Sequence, residues 1–149
     1  MIINVYFYIL AAFILPWCIC IYFLKKKPLL FVIYIPIVTS IAMLMNIIGF
    51  HYDFWKIEPY DIAALPFDFG IYPVLGCFMI NSINSKKHTI FIILFFYSLS
   101  TTLMEYGAFC IGIVEYGNGW NIGWTFVSYI VAYTGVIMYS MAINTFIRG

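Results

Sequence analysis

The stretch Leu29–Phe50 reads LLFVIYIPIVTSIAMLMNIIGF and carries no charged side chain. A helix of about 20 predominantly apolar residues is long enough to cross the hydrocarbon core of a bilayer. The apolar residues are continuous rather than alternating with polar ones, which is typical of a spanning helix and not of a barrel strand. This stretch therefore predicts a transmembrane helix.

The composition of the whole chain points the same way. Hydrophobic residues make up 65% of its 149 residues and charged residues 9%, whereas soluble domains carry about 25% charged residues. We therefore predict an all-α fold, with residues 1–149 forming one integral membrane domain. Membrane lipid is the expected partner, and a protein partner or a homo-oligomer stays open. The net charge of +1 gives no basic surface, so no nucleic-acid partner is expected.

Five apolar runs of this kind are separated by short polar connectors. They cover about residues 5–24, 29–50, 62–80, 89–113 and 123–146. Each is close to the length that a spanning helix needs. We predict a bundle of five transmembrane helices, with four as the alternative.

The basic residues predict the orientation of this bundle. With five spans, residues 25–27, which are all lysine, fall on the same side as Lys86, Lys87 and Arg148, and Lys56 falls on the other. Connectors rich in lysine and arginine favour the cytoplasmic side of a membrane. We therefore predict a multi-pass protein of the plasma membrane, with its N-terminus outside and its C-terminus in the cytoplasm.

Two acidic residues, Asp68 and Glu105, lie inside predicted spans. Asp68 lies six residues after the outer start of its span and Glu105 eight residues before the outer end of its own, so both lie roughly 9–12 Å below the outer surface. An ionised carboxylate at membrane depth costs about 2.5–3.5 kcal/mol unless it faces the bundle interior, reaches water or takes up a proton. We expect both side chains to point inward and to share a polar pocket open to the outer face.

Polar side chains on the same helical faces extend this pocket, because residues three or four apart on a helix are neighbours. The candidate pocket consists of Asp68, Glu105, Tyr72, Asn46, Thr101 and Thr102. The alternative is that these side chains join the helices by bonding to each other or to backbone freed at prolines. For Asp68 a further alternative is a favourable first-turn position, if the regular helix begins at Pro66.

No motif for catalysis, a cofactor or a metal accompanies these acids. Cys18 and Cys20 point to nearly opposite helix faces, and His51 and His88 lie at opposite membrane faces, so neither pair is expected to share a metal. A Ser-His-Asp order, an HExxH helix and a phosphate-binding loop are all missing. We predict no catalytic residue, no cofactor and no metal, which favours a protein that is not an enzyme.

Residues 65–73, LPFDFGIYP, resemble a signature of small, uncharacterised polytopic membrane proteins from spore-forming Gram-positive bacteria. The resemblance implies four or five spans, a Phe-Asp-x-x-x-Tyr-Pro core in a middle helix and a later glutamate followed by a Trp-rich turn. Here those features would be Glu105 with Trp120 and Trp124. The resemblance covers roughly the last two-thirds of the chain, and it implies a fold and a location but no activity.

Three classes of function stay open. The first is a non-enzymatic protein that binds a lipid-like or protein partner through the outward-facing pocket. The second is a proton- or cation-coupled transport protein with Asp68 and Glu105 as the ion sites. The third is an intramembrane enzyme that acts on a lipid or isoprenoid. A distant likeness to membrane carotenoid cyclases would suit this third class, but the chain lacks their Pro-x-Glu-Glu motif.

Overall fold

A computed structural model describes residues 5–57 and 61–148 of the chain. Glu58, Pro59 and Tyr60, in the connector after the second predicted span, lie outside the described residues, as do residues 1–4 and Gly149.

Six α-helices make up most of the described chain. They are α1 (Val5–Tyr8), α2 (Leu15–Leu24), α3 (Pro28–His51), α4 (Tyr72–Asn84), α5 (Ile90–Cys110) and α6 (Ile122–Arg148). A π-helical segment, Ile9–Ile14, joins α1 to α2, so these three elements run on without a break. A second π-helical segment, Phe67–Ile71, leads into α4, and a 3-10 turn covers Asp61–Ala64. The prediction of an all-α fold is confirmed.

Two short strands pair between distant connectors. β1 (Trp55–Ile57) follows α3 and β2 (Val114–Tyr116) follows α5, and they pair antiparallel with Trp55 opposite Tyr116. Because the strands are hydrogen-bonded, both connectors lie at the same end of the bundle. We call this the sheet end.

The opposite end carries the turns between α2 and α3 and between α4 and α5. These turns hold residues 25–27, all lysine, together with Lys86 and Lys87. The Lys27 ammonium donates to Asn81 Oδ1 at 2.5 Å, which ties the first of these turns to the last part of α4. We call this the lysine end.

Three of the described helices are long and apolar enough to cross a membrane. They are Pro28–His51, Ile90–Cys110 and Ile122–Phe146. Their outward faces carry large apolar side chains: Phe91 is 82% exposed and Phe146 is 85% exposed. Contiguous apolar surface of this extent is rare on soluble proteins, so the outside of these helices suits hydrocarbon rather than water.

The two π-helical segments pack against each other, and each is followed closely by a proline. Pro73 has no N–H, so the carbonyl of Phe69 loses its usual helical donor four residues on. The Trp17 indole N–H donates to that carbonyl at 2.9 Å instead. This bond between the first helical stretch and the segment before α4 compensates for the proline.

Gly70 brings these two segments into direct contact. A side chain on Gly70 would collide with the Ala12 carbonyl oxygen and the Phe13 Cα. Only a residue without a Cβ allows the backbones to approach so closely. The contact fixes the segment that carries Asp68.

The main apolar core lies between the helices toward the lysine end. Cys20, Cys77, Met79 and Ile80 are its most buried members. A smaller cluster, which includes Ile57, Ala64 and Val114, lies beneath the strands. Between these two clusters the helices leave a cavity.

Candidate functional site

The cavity lies between α3, α5 and α6 and extends to the strands at the sheet end. Its volume is about 150 Å³, and an engineered apolar cavity of about this size binds benzene. Most of its wall is apolar, formed by side chains such as Ile41, Met45 and Val136. The polar side chains in the wall are Asn46, Trp55, Tyr72, Thr101, Glu105, Trp120, Thr125, Ser128, Tyr129 and Tyr133.

Glu105 is the acidic residue in this wall, and hydroxyl groups surround its carboxylate. Tyr116 donates to Oε1 at 2.9 Å, and Thr125 lies 3.3 Å from the same oxygen. Tyr129 donates to Oε2 through a short hydrogen bond, and the Tyr72 hydroxyl lies 3.1 Å from that of Tyr129. All of these donors are neutral, so they satisfy the carboxylate oxygens without cancelling their charge.

A tryptophan sets the direction of the bonds on one side of Glu105. The Trp120 indole N–H, which can only donate, bonds to Thr125 Oγ1 at 2.9 Å. Thr125 in turn lies 3.1 Å from the Tyr116 hydroxyl, which donates to Glu105. The hydrogen-bond chain therefore runs from the Trp120 indole through Thr125 and Tyr116 to the Glu105 carboxylate.

The Tyr116 hydroxyl lies in β2, outside the long helices. Burial, and after it the nearby Glu105 carboxylate, raise the pKa of Tyr116 well above its ordinary value. Tyr116 therefore keeps its proton and remains a donor to Glu105.

Asp68 is held by a second chain that also begins at a tryptophan. The Trp55 indole N–H donates to Asn46 Oδ1 at 3.0 Å. Because that bond fixes which side of the amide is the oxygen, the Asn46 Nδ2 group faces Asp68 and donates to Oδ1 at 2.8 Å. Asp68 itself is 3% exposed. It lies in the first turn of Phe67–Ile71. This is the kind of position that the helix-dipole alternative described for Asp68.

The two tryptophans meet at the sheet end of the cavity. Their ring centroids are 4.9 Å apart, and the Phe54 ring stacks on Trp120 at 4.8 Å. A side chain on Gly49 would overlap the Trp55 ring. The absence of a Cβ at Gly49 therefore allows the indole to fold back over α3 and reach Asn46.

Four of the six residues predicted for a polar pocket line this cavity: Asn46, Tyr72, Thr101 and Glu105. Thr101 joins α5 to α6, because its Oγ1 lies 2.7 Å from the Tyr133 hydroxyl. It also donates to the Tyr97 carbonyl at 2.8 Å.

The other two predicted residues lie outside the cavity wall. Asp68 reaches the cavity through Asn46 and contributes no surface of its own. Thr102 donates to the Ser98 carbonyl at 2.7 Å, within its own helix. Both are buried, so the structure separates the two acids: Glu105 faces the cavity and Asp68 lies behind it.

Sequence reasoning missed most of the partners of Glu105. Thr125, Tyr129 and Tyr133 recur every four residues on α6 and form one helical face. That spacing was visible in the sequence and would have indicated a polar stripe. Tyr116 and Trp55 carried no such signal, because they lie in connectors that become strands only by pairing with each other.

The charge on the described part of the cavity wall is negative only. Within the part of the chain that the structure describes, the cavity wall contains Glu105 but no lysine, arginine or histidine. An ion pair joins Lys56 to Asp53 at 3.2 Å, on the exposed surface of the sheet end. Among the described residues no three His, Cys, Asp or Glu side chains cluster in a way that would hold a metal ion.

The fold and the site together define a helical protein with three membrane-length apolar helices and an internal cavity that contains a carboxylate. Comparison with protein families, with curated proteins and with solved structures found no match. The resemblance of residues 65–73 to small membrane proteins of spore-forming bacteria therefore stays a prediction.

Proposed function

We propose that this chain is a five-span protein of a bacterial plasma membrane that binds a small lipid-like molecule in the cavity beside Glu105. In this proposal the first span comprises α1, the segment Ile9–Ile14 and α2, and the third comprises residues 61–84. The family suggested by residues 65–73 would then be a family of such binding proteins.

The arrangement of the connectors supports five spans. The strands β1 and β2 pair, so the connectors after α3 and after α5 share one end. Lys27 bonds to Asn81, so the turns before α3 and before α5 share the other end. Both pairings fit successive crossings by α3, residues 61–84 and α5, and the first helical stretch and α6 would bring the number to five.

The charges support an orientation with the lysine end in the cytoplasm. Residues 25–27, Lys86 and Lys87 lie at that end, and α6 runs toward it from the sheet end. Positive connectors favour the cytoplasmic side. The sheet end, with Trp55 and Trp120, would then face outward, and so would the end of the cavity that they cover.

The observation that carries the binding role is a cavity with an apolar wall, one inward-facing carboxylate and an apolar floor. Below Val38 and Val136 the buried core follows, with Met79 and Ile80 fully enclosed. A pocket closed toward one side of the membrane suits a bound molecule better than a path for ions. Binding is therefore the better-supported role, and transport is the second.

The positions of the two acids favour binding over catalysis. Acid–base chemistry by a carboxyl pair needs both groups within reach of the reacting atoms. Glu105 lines the cavity, whereas Asp68 bonds to Asn46 behind the wall. We therefore propose a non-enzymatic role. A protein ligand fits less well, because a cavity of about 150 Å³ holds a side chain or a small molecule rather than an interface.

The experiment uses a hexyl diazirine probe and the full chain in nanodiscs. Photolabelling should reach Tyr133, which is 4% exposed and lines the cavity, as well as Phe146, which is 85% exposed and faces outward. Ala132 lines the cavity and Ala142 lies on the exposed face of the same helix. Ala132→Phe should abolish labelling of Tyr133 and leave that of Phe146 unchanged.

Ala142→Phe is the matched control, because it adds the same ring to α6 away from the cavity. It should leave the labelling of Tyr133 intact. Labelling confined to outward-facing residues in the unmodified protein, with Tyr133 untouched at saturating probe, would count against a ligand cavity.

A further inference from the structure

We propose that the molecule bound in this cavity is a hydrophobic organic cation, an amine or quaternary ammonium group on an apolar body, with Glu105 as its counter-ion. The inference rests on the proposed binding function and adds the chemical class of the ligand. Its basis is the charge, the rings and the size of the cavity.

The charge of Glu105 has no partner among the described residues. Its two oxygens have about four acceptor sites, and the hydroxyls of Tyr116, Thr125 and Tyr129 occupy at most three of them. These donors leave at least one acceptor site, and they do not cancel the negative charge of the ionised acid in an apolar wall. A buried carboxylate is stable when a proton neutralises it or a cation pairs with it, and a cationic ligand would supply that pair.

The hydrogen bonds to Glu105 are compatible with an ionised acid. The Tyr116 hydroxyl donates to Oε1 and the Tyr129 hydroxyl donates to Oε2. A carboxylate accepts both of these protons. The ionised form of Glu105 therefore fits these partners and would attract a positive charge.

The rings around the cavity suit the same ligand. Trp55, Trp120, Tyr72, Tyr129 and Tyr133 all contribute to the wall. The faces of aromatic rings attract ammonium groups, most strongly for tryptophan, and aromatic cages bind quaternary ammonium ions. A cation in this cavity would lie beside a carboxylate and several aromatic rings at once.

The same wall disfavours phosphate. It contains no lysine, arginine or histidine among the described residues, and a phosphate group would lie beside Glu105 without a positive partner. A zwitterionic phosphocholine headgroup should therefore bind worse than a simple alkylammonium ion. The volume of about 150 Å³ also fits a compact ammonium group and the start of its tail rather than a whole phospholipid.

The experiment measures how well three matched compounds protect Tyr133 from the hexyl diazirine probe. The compounds are hexyltrimethylammonium, its neutral carbon isostere 2,2-dimethyloctane, and hexylphosphocholine. We expect hexyltrimethylammonium to protect at a concentration at least about tenfold below that of either of the others. Glu105→Gln should remove this preference, and comparison with that variant corrects for unequal partitioning into lipid.

The possible outcomes separate the two proposals. If the neutral isostere protects Tyr133 as well as the cation does, or if Glu105→Gln keeps the preference, the cation proposal is wrong and the binding cavity stands. If Tyr133 is not labelled at all, both proposals are wrong. The comparison between hexyltrimethylammonium and hexylphosphocholine needs only the unmodified protein, so it decides the charge question even if Glu105→Gln does not fold.

Discussion

The indole rings of Trp55 and Trp120 lie with their centroids 4.9 Å apart, and each indole N–H begins a hydrogen-bond chain that ends at a carboxylate. One chain runs through Asn46 to Asp68, and the other reaches Glu105. The two acids are therefore connected through a pair of rings at the end of the cavity rather than by direct contact. A ligand that moves either ring would disturb both acids.

Trp55→Phe should lower the free energy of unfolding by about 1–3 kcal/mol, because it leaves the buried Asn46 oxygen without its donor. A phenyl ring replaces the indole, so the loss reports the N–H group together with the smaller ring. The measurement is unfolding by increasing denaturing detergent in mixed micelles. Trp124→Phe is the control, since Trp124 is 55% exposed and should change stability by less than about 0.5 kcal/mol. Equal losses in the two variants would contradict the chain through Asn46.

Asp68→Asn and Asp68→Leu should differ sharply in stability. An asparagine oxygen at position 68 can still accept from Asn46 Nδ2, and the charge is removed. We therefore expect Asp68→Asn to change the free energy of unfolding by less than about 1 kcal/mol. A leucine leaves the Asn46 Nδ2 group without an acceptor, so Asp68→Leu should lower the free energy of unfolding by about 1–3 kcal/mol. Folded yield and detergent unfolding of both variants provide the measurement.

The same pair of variants separates the two roles considered for Asp68. If Asp68 supports a binding site, Asp68→Asn should fold normally and weaken protection of Tyr133 by hexyltrimethylammonium. Loss of folded protein with Asp68→Asn would instead make Asp68 a structural link between α3 and the segment before α4.

Gly70→Ala should be strongly destabilising and Gly107→Ala should not. A methyl group at Gly70 would collide with the Ala12 carbonyl oxygen and force the two π-helical segments apart. At Gly107 nothing lies within 4 Å of the new methyl group, and alanine is favoured over glycine in a helix by about 1 kcal/mol. Thermal unfolding in nanodiscs should therefore show a lower Tm for Gly70→Ala and a higher Tm for Gly107→Ala. An unchanged Tm for Gly70→Ala would refute the close contact.

The helices Pro28–His51, Ile90–Cys110 and Ile122–Arg148 were predictable because each of these apolar runs is long enough to be recognised without its neighbours. The two π-helical segments were harder to predict. Pro16 and Pro73 indicate where the helices are interrupted, but they do not indicate that the two segments pack against each other. The strands could not be predicted, because the alternation in Trp55–Ile57 covers only three residues, which is too short to indicate a strand, and the segment forms one by pairing with β2.

The candidate site was predictable to the extent that an acid inside an apolar run stands out. Glu105 and Asp68 were found in this way, as was Asn46. The separation of the two acids was not predictable, because it depends on Asn46 lying between Asp68 and the cavity. The donors to Glu105 come from a connector, which carries Tyr116, and from the next helix. They converge on Glu105 only in the tertiary fold.

Labelling of single cysteines in intact cells tests the five-span topology. The background replaces Cys18, Cys20, Cys77 and Cys110 by alanine, and the reporters are Asp53→Cys, Glu115→Cys and Lys86→Cys, all at exposed positions. A membrane-impermeant maleimide should label the first two in intact cells, because β1 and β2 hold their connectors at one end. Lys86→Cys should react only after lysis, because α4 separates the lysine end from the sheet end. If residues 61–84 did not cross the membrane, Lys86→Cys would react together with Asp53→Cys, and the four-span alternative would replace the five-span bundle.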